Sequence, residues 1–153
     1  MRPTWTVPTP RPSLAAKAAR GGVAVDASQL YWTNPVAGTI WAANLDGSSP
    51  HVLATGQDNL AGVAVGGIPG PFLYWANTDG GSNGTINSAN LDGTSASAIV
   101  TGQNAPAGVA VGSASLYWAN PNGGTVNEAN LDGGNPHALF ANQNASFGVA
   151  VGP

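Results

Sequence analysis

Cysteine is absent from the 153 residues, which excludes a disulfide framework and any thiolate metal site. Charge is scarce too: Asp, Glu, Lys and Arg make up 7% of the chain, against about 25% in ordinary soluble proteins. All four basic residues (Arg2, Arg11, Lys17, Arg20) precede all seven acids (Asp26, Asp46, Asp58, Asp79, Asp92, Glu128, Asp132), so no Lys or Arg stands from Gly21 onward. Nucleic-acid binding rests on neutralising phosphates, and an acidic body without cations excludes that partner. No run approaches the roughly 18 apolar residues of a membrane-spanning helix. Pro3, Pro8, Pro10 and Pro12 interrupt the stretch where the apolar part of a secretion signal would lie, so no signal peptide is visible.

Gly (22 residues) and Pro (12 residues) are plentiful instead, which points to short strands and frequent turns. The turns are periodic. Gly-Val-Ala-Val begins at Gly22, Gly62, Gly108 and Gly148; Leu-Tyr-Trp at Leu30, Leu73 and Leu116; Asn-Leu-Asp-Gly at Asn44, Asn90 and Asn130. The middle unit is longer by two insertions, around Gly66 to Phe72 and around Thr78 to Asn83. A period of this length is the signature of a repeat architecture. The units divide as 22–61, 62–107 and 108–147, after a leader over 1–21 and before a lone first strand over 148–153. Within the leader, Ser13 to Arg20 has helical propensity, or is a decayed outer strand.

Each unit reads as four short strands, exemplified by Gly22 to Val25, Leu30 to Thr33, Thr39 to Leu45 and His51 to Ala54. Val, Ile, Tyr, Trp and Thr favour pleated structure, and Asp46-Gly47, Asp92-Gly93 and Asp132-Gly133 are turn signals between the third and fourth strands. Successive side chains of a strand point to opposite faces. Leu30 and Trp32 therefore load one face while Tyr31 loads the other, and a sheet apolar on both faces has to be covered on both. Small sheets stacked face to face around an axis satisfy that requirement, so the expected fold is all-β and propeller-like, with three four-stranded blades. A β-solenoid is the alternative, although its coils are usually shorter.

Gly-Val-Ala-Val, Leu-Tyr-Trp-Thr-Asn and Asn-Leu-Asp-Gly, in this order and spacing, resemble the YWTD repeat of LDL-receptor class B propellers, in a bacterial-type variant. The resemblance spans Gly22 to Val151 and implies a six-bladed parent with an extracellular or cell-surface setting. The family's fourth position is Asp, which helps tie strands together; here it is Asn34, Asn77 and Asn120, which keep the hydrogen bonding without the charge. Three units are half of six. That suggests a homodimer completing the ring, with the strand at Gly148 to Val151 competing against the partner's Gly22 to Val25. A piece of a longer propeller gene is the simpler account.

Trp32, Trp75 and Trp118 share one repeat position and are expected to pack between blades, as Asp46, Asp92 and Asp132 are expected to shape turns. Trp41 has no aromatic counterpart, since Asn87 and Asn127 hold its place. His51 and His137 begin the outermost strands, too far apart for a shared metal. In propellers the loops from fourth to next first strand, and from second to third, share one rim around the channel. Gln57, Asp58, Gln103, Asn104, Gln143 and Asn144, with Asp79 of the inserted loop, are the candidate binding residues there. Such amides and carboxylates suit sugars, peptide backbone or Ca²⁺, and they equally serve to hold turns. General acid–base chemistry needs paired titratable groups in a cleft, and no such set is legible. The leading reading is a non-catalytic module contacting protein or glycan, without a required cofactor. The competing readings are a lactonase- or lyase-type enzyme with a channel metal, and a fragment inactive on its own.

Overall fold

The computed structural model describes residues 21–67 and 70–152. The expected helix at 13–20, and the rest of the leader to residue 20, lie outside them. Three antiparallel sheets of four strands each follow one another along the chain. The first comprises β1 (Val23–Val25), β2 (Gln29–Asn34), β3 (Thr39–Asn44) and β4 (His51–Ala54). The second comprises β5 (Leu60–Gly66), β6 (Phe72–Asn77), β7 (Gly84–Asn90) and β8 (Ser97–Gln103). The third comprises β9 (Val109–Val111), β10 (Ser115–Asn120), β11 (Thr125–Asn130) and β12 (His137–Phe140).

Register follows the repeat. Trp32 faces Val23 and Trp41, Trp75 faces Val63 and Asn87, and Trp118 faces Val109 and Asn127. Each third-to-fourth strand pair is bulged at one equivalent point, after Ile40, Ile86 and Val126. A bulge sharpens the local twist.

The turn between those strands is the same in all three sheets. Asp46, Asp92 and Asp132 Oδ1 accept the backbone N–H two residues on at 2.8, 2.9 and 2.8 Å. Gly47, Gly93 and Gly133 follow at φ 80°, 82° and 84°, a left-handed conformation that costs glycine little.

Burial on both faces is the organising fact. Tyr31, Ile40 and Ala42 of the first sheet pack against Leu60, Val63, Leu73, Trp75 and Ala89 of the second. Tyr74, Ala76, Ile86 and Val100 of the second pack against Val109, Leu116, Trp118 and Ala129 of the third. At about 25 cal/mol per Å² and ~200 Å² per indole, burying one such Trp contributes on the order of 5 kcal/mol gross.

The innermost strands approach more closely than side chains allow. A Cβ on Gly22 would lie 2.9 Å from Gly62 Cα, one on Gly62 3.0 Å from Gly108 Cα, and one on Gly108 2.9 Å from Gly148 Cα. The first residue of Gly-Val-Ala-Val is therefore glycine because backbone meets backbone at the axis.

Candidate functional site at the axial rim

The loops that enter β5 and β9 lie beside those that leave β2, β6 and β10, and together they wall a groove at the axis. Its volume is about 510 Å³, and its walls include Pro35, Leu60, Ala61, Pro106, Pro121 and Phe147, with Asn59, Thr78 and Asn122 as the polar members. Among the described residues none that lines it is titratable. Asn59, Ala105 and Ala145 hold equivalent positions with φ of 46°, 55° and 54°, so the chain turns sharply at the mouth before each Gly-Val-Ala-Val. Backbone bonds tie the loop leaving a sheet to the loop between that sheet's second and third strands: Gln57 N donates to Gly38 O (3.0 Å) and Gln143 N to Gly124 O (2.8 Å). In the middle sheet Gln103 pairs with Gly84 in the ladder.

The rim amides have a different geometry from a ring facing the channel. Gln57 Oε1 accepts from Trp75 Nε1 at 2.9 Å and from Asn77 Nδ2 at 3.0 Å. Gln103 Oε1 accepts from Trp118 Nε1 at 2.8 Å and from Asn120 Nδ2 at 3.0 Å. Both Gln side chains turn their Nε2 onto the carbonyl two residues back, Thr55 O and Thr101 O. Each thus bridges one sheet to the next. Gln143 makes the inward half of this arrangement, Nε2 to Ala141 O at 3.1 Å, and is exposed.

An indole N–H can only donate, which fixes the Gln oxygen toward the Trp and, in turn, the Asn nitrogen toward the same oxygen. Asn77 Oδ1 and Asn120 Oδ1 are left buried without a hydrogen-bond partner among the described residues. Asn where the YWTD repeat that the sequence resembles has Asp has a local reason here. A carboxylate at that point would set negative oxygen against Gln Oε1.

The remaining candidates are dispersed. Asp58 and Asn144 are exposed. Asn104 packs beside Gly123, where an added Cβ would lie 3.3 Å from its own Cβ. Asp79 closes its loop on itself, accepting from Gly81 N at 2.8 Å and Asn83 N at 2.9 Å. The Gly81 N–H above all, with that of Asn83, holds its carboxyl below the usual value.

His51 and His137 rest on Ser49 O and Asn135 O, each at 3.0 Å, and His137 Nε2 lies 3.7 Å from Glu128 Oε2. Among the described residues no three His, Cys, Asp or Glu side chains gather where they could hold a metal ion. Sequence reasoning did not single out the groove wall. Its signal was the pair before each of the last three Gly-Val-Ala-Val motifs: Leu60-Ala61, Pro106-Ala107 and Ser146-Phe147.

Neither a family model nor a curated protein matches the chain. Among solved structures, a nidogen/laminin complex matches at a TM-score of 0.77 and 24% identity, over 85% of this chain and 51% of that one. The fold is a β-propeller. A streptogramin B lyase matches at a TM-score of 0.69 and 16% identity, over 91% of this chain and 47% of that one. The virginiamycin B lyase of Staphylococcus aureus matches at 0.63 and 17%, over 86% and 45%. The propeller chain described here thus spans about half the length of the structures it matches. Its three sheets are blades, with β1, β5 and β9 innermost. The matched propellers include both a binding protein's complex and enzymes, so fold alone assigns neither activity.

Proposed function

We propose that this chain is a non-catalytic, YWTD-type binding module that holds a segment of a partner protein in the axial groove and along its rim. The observation that carries the reading is the groove's chemistry. Among the described residues its walls are mostly Gly, Ala, Pro and Leu with Phe147, its polar side chains are two amides and Thr78, and none of the lining side chains is an acid or a base. Apolar walls with a few convergent hydrogen-bonding groups suit recognition. General acid–base catalysis would need titratable groups there. The nidogen/laminin likeness supports a protein over a glycan as partner.

Pull-down of extracellular proteins onto the immobilised chain, followed by titration of Pro35→Glu and Pro121→Glu variants, tests this. The expected result is saturable binding weakened at least about tenfold by either groove substitution. Binding indifferent to both, or capture of glycans alone, would contradict it.

The lyase likenesses favour a second reading, an enzyme using a channel metal. Elemental analysis of protein purified without chelator decides it, because a stoichiometric divalent ion is what that reading requires.

A further inference from the structure

The bridge that joins neighbouring blades occurs twice in full and once in each half. Gln57 holds Trp75 and Asn77, and Gln103 holds Trp118 and Asn120. At one end, Gln143 extends the same acceptor with its Nε2 already placed on Ala141 O. At the other, Trp32 and Asn34 carry the same two donors. Among the described residues no side chain accepts from the Trp32 indole, and Asn34 is exposed.

Two further contacts of the interior joints are likewise split between the ends. The backbone of Leu53 and of Ile99 meets Gly93 and Gly133, in the Asp-Gly turn of the following blade. Leu139, their equivalent in the third blade, is 41% exposed, while Gly47 offers the matching turn at φ 80°. The innermost strand is also divided. Residues 148–151 already lie where a following blade's first strand would, with Gly148 stacked on Gly108 as Gly108 is on Gly62. They have no strand partner among the described residues. Conversely, β1 has the same Gly-Val-Ala-Val sequence and pairs with β2, but its outer face is uncovered: Val23 is 68% exposed, whereas its equivalents Val63 and Val109 are 6% and 7%.

We propose that a second copy of this chain docks head to tail, Gln143 of each copy accepting from Trp32 and Asn34 of the other. Residues 148–151 of each copy replace β1 of the other as inner strand beside β2. The pairing then follows the register seen within the chain, Val149 taking the place of Val23 opposite Trp32 and Val151 that of Val25 opposite Leu30. Two such joints close six blades into a ring with a two-fold axis. The exchange of an identical strand is a low-cost route to such a dimer.

The joint between copies differs from the interior ones at two points. Trp41, stacked on Trp32 at 6.0 Å between centroids, stands where the interior joint has Asn87 and the next has Asn127. Glu128, beside His137, pairs with Tyr117 where Ala42 and Ser88 face Tyr31 and Tyr74. The surface between copies therefore carries one large ring and one ionisable pair that the interior joints lack.

Light scattering and sedimentation equilibrium on the 153-residue protein and on Gln143→Ala, Trp32→Phe and the double variant test the joint. Among the described residues the Gln143 side chain bonds only Ala141 O, next to it in the chain, and Trp32→Phe keeps an aromatic ring against Trp41 while removing the N–H, so both variants keep their β-sheet circular dichroism. The expected mass is twice 15.1 kDa, with each single substitution weakening the dimer at least about tenfold. The double variant should be no weaker than the worse single one. Gln143 and Trp32 lie on opposite end blades, so coupling between them arises only across copies. A mass of 15.1 kDa at every concentration, or a dimer insensitive to both substitutions, or strictly additive effects, would overturn the proposal. Species growing beyond two copies would overturn the closed ring.

Discussion

Trp118 and Trp32 occupy the same position of the same motif, and the propeller treats them differently. Trp118 is 1% exposed with its indole N–H on Gln103; Trp32 is half-buried and stacks on Trp41 within its own blade. The difference is the neighbouring blade. Burial in this fold belongs to the joint between two blades and not to the motif, so identical residues are structural inside the array and available at its ends.

The largest way to sharpen this contrast is truncation of the rings. Trp118→Ala should cost about 3–5 kcal/mol in denaturant unfolding, as expected for emptying a packed aromatic site. Trp32→Ala should cost less, about 2 kcal/mol in a single copy, since part of the ring is already in water. Equal losses would show that the joint confers nothing special.

A smaller but more specific break is Asn120→Asp, which places a carboxylate against Gln103 Oε1 in a buried setting. Its expected cost is about 2–4 kcal/mol at neutral pH, against nearly nothing for Asn34→Asp at the exposed end. The new acid would have a folded-state pKa above its unfolded value. Its penalty is therefore present above that folded value and fades as pH falls through it. A stability profile of Asn120→Asp that gains on the parent between pH 7 and pH 4 checks the sign.

The smallest effect concerns Asp26, which only the first blade has; Gly66 and Gly112 stand in its place. Its Oδ1 accepts from Ser28 N and Gln29 N, both at 2.7 Å, and its Oδ2 from Tyr31 Oη at 2.8 Å. Burial pulls its carboxyl upward, but these bonds together outweigh it and leave the group below its ordinary value. The stabilisation is present above the unfolded pKa of about 4 and is lost as pH falls through the lower folded value. Asp26→Asn should lower stability by about 1 kcal/mol at pH 7 and flatten the acid limb of the profile.

Much of this molecule was legible in its residues, and the rest for a physical reason was not. Alternation in Leu30-Tyr31-Trp32 implies a sheet covered on both faces; β6 of the middle blade has that burial, while in β2 and β10 the triplet is fully buried on one face only. The Asp-Gly pairs imply the turns that Asp46, Asp92 and Asp132 make. Strand ends shifted by a residue, β2 running to Gln29 and Asn34, because ladder bonds extend past the apolar run. The Gln bridges were hidden. Gln57 sits in a turn-like sequence, and its partners lie 18 and 20 residues onward in another blade, so local propensity is blind to them. What pointed that way was recurrence: a Gln before, and a Trp and an Asn after, every Gly-Val-Ala-Val inside the array. The axial groove was equally silent because its walls are residues without distinctive side chains.

The most direct test is hydrogen exchange at the assigned indole N–H groups, measured by NMR in Gln143→Ala so that the end of the array stays open. The account predicts strong protection at Trp75 and Trp118, and fast exchange at Trp32. Equal protection at the three indoles, or fast exchange at Trp75 and Trp118, would contradict a propeller whose blades are held to each other through these bonds.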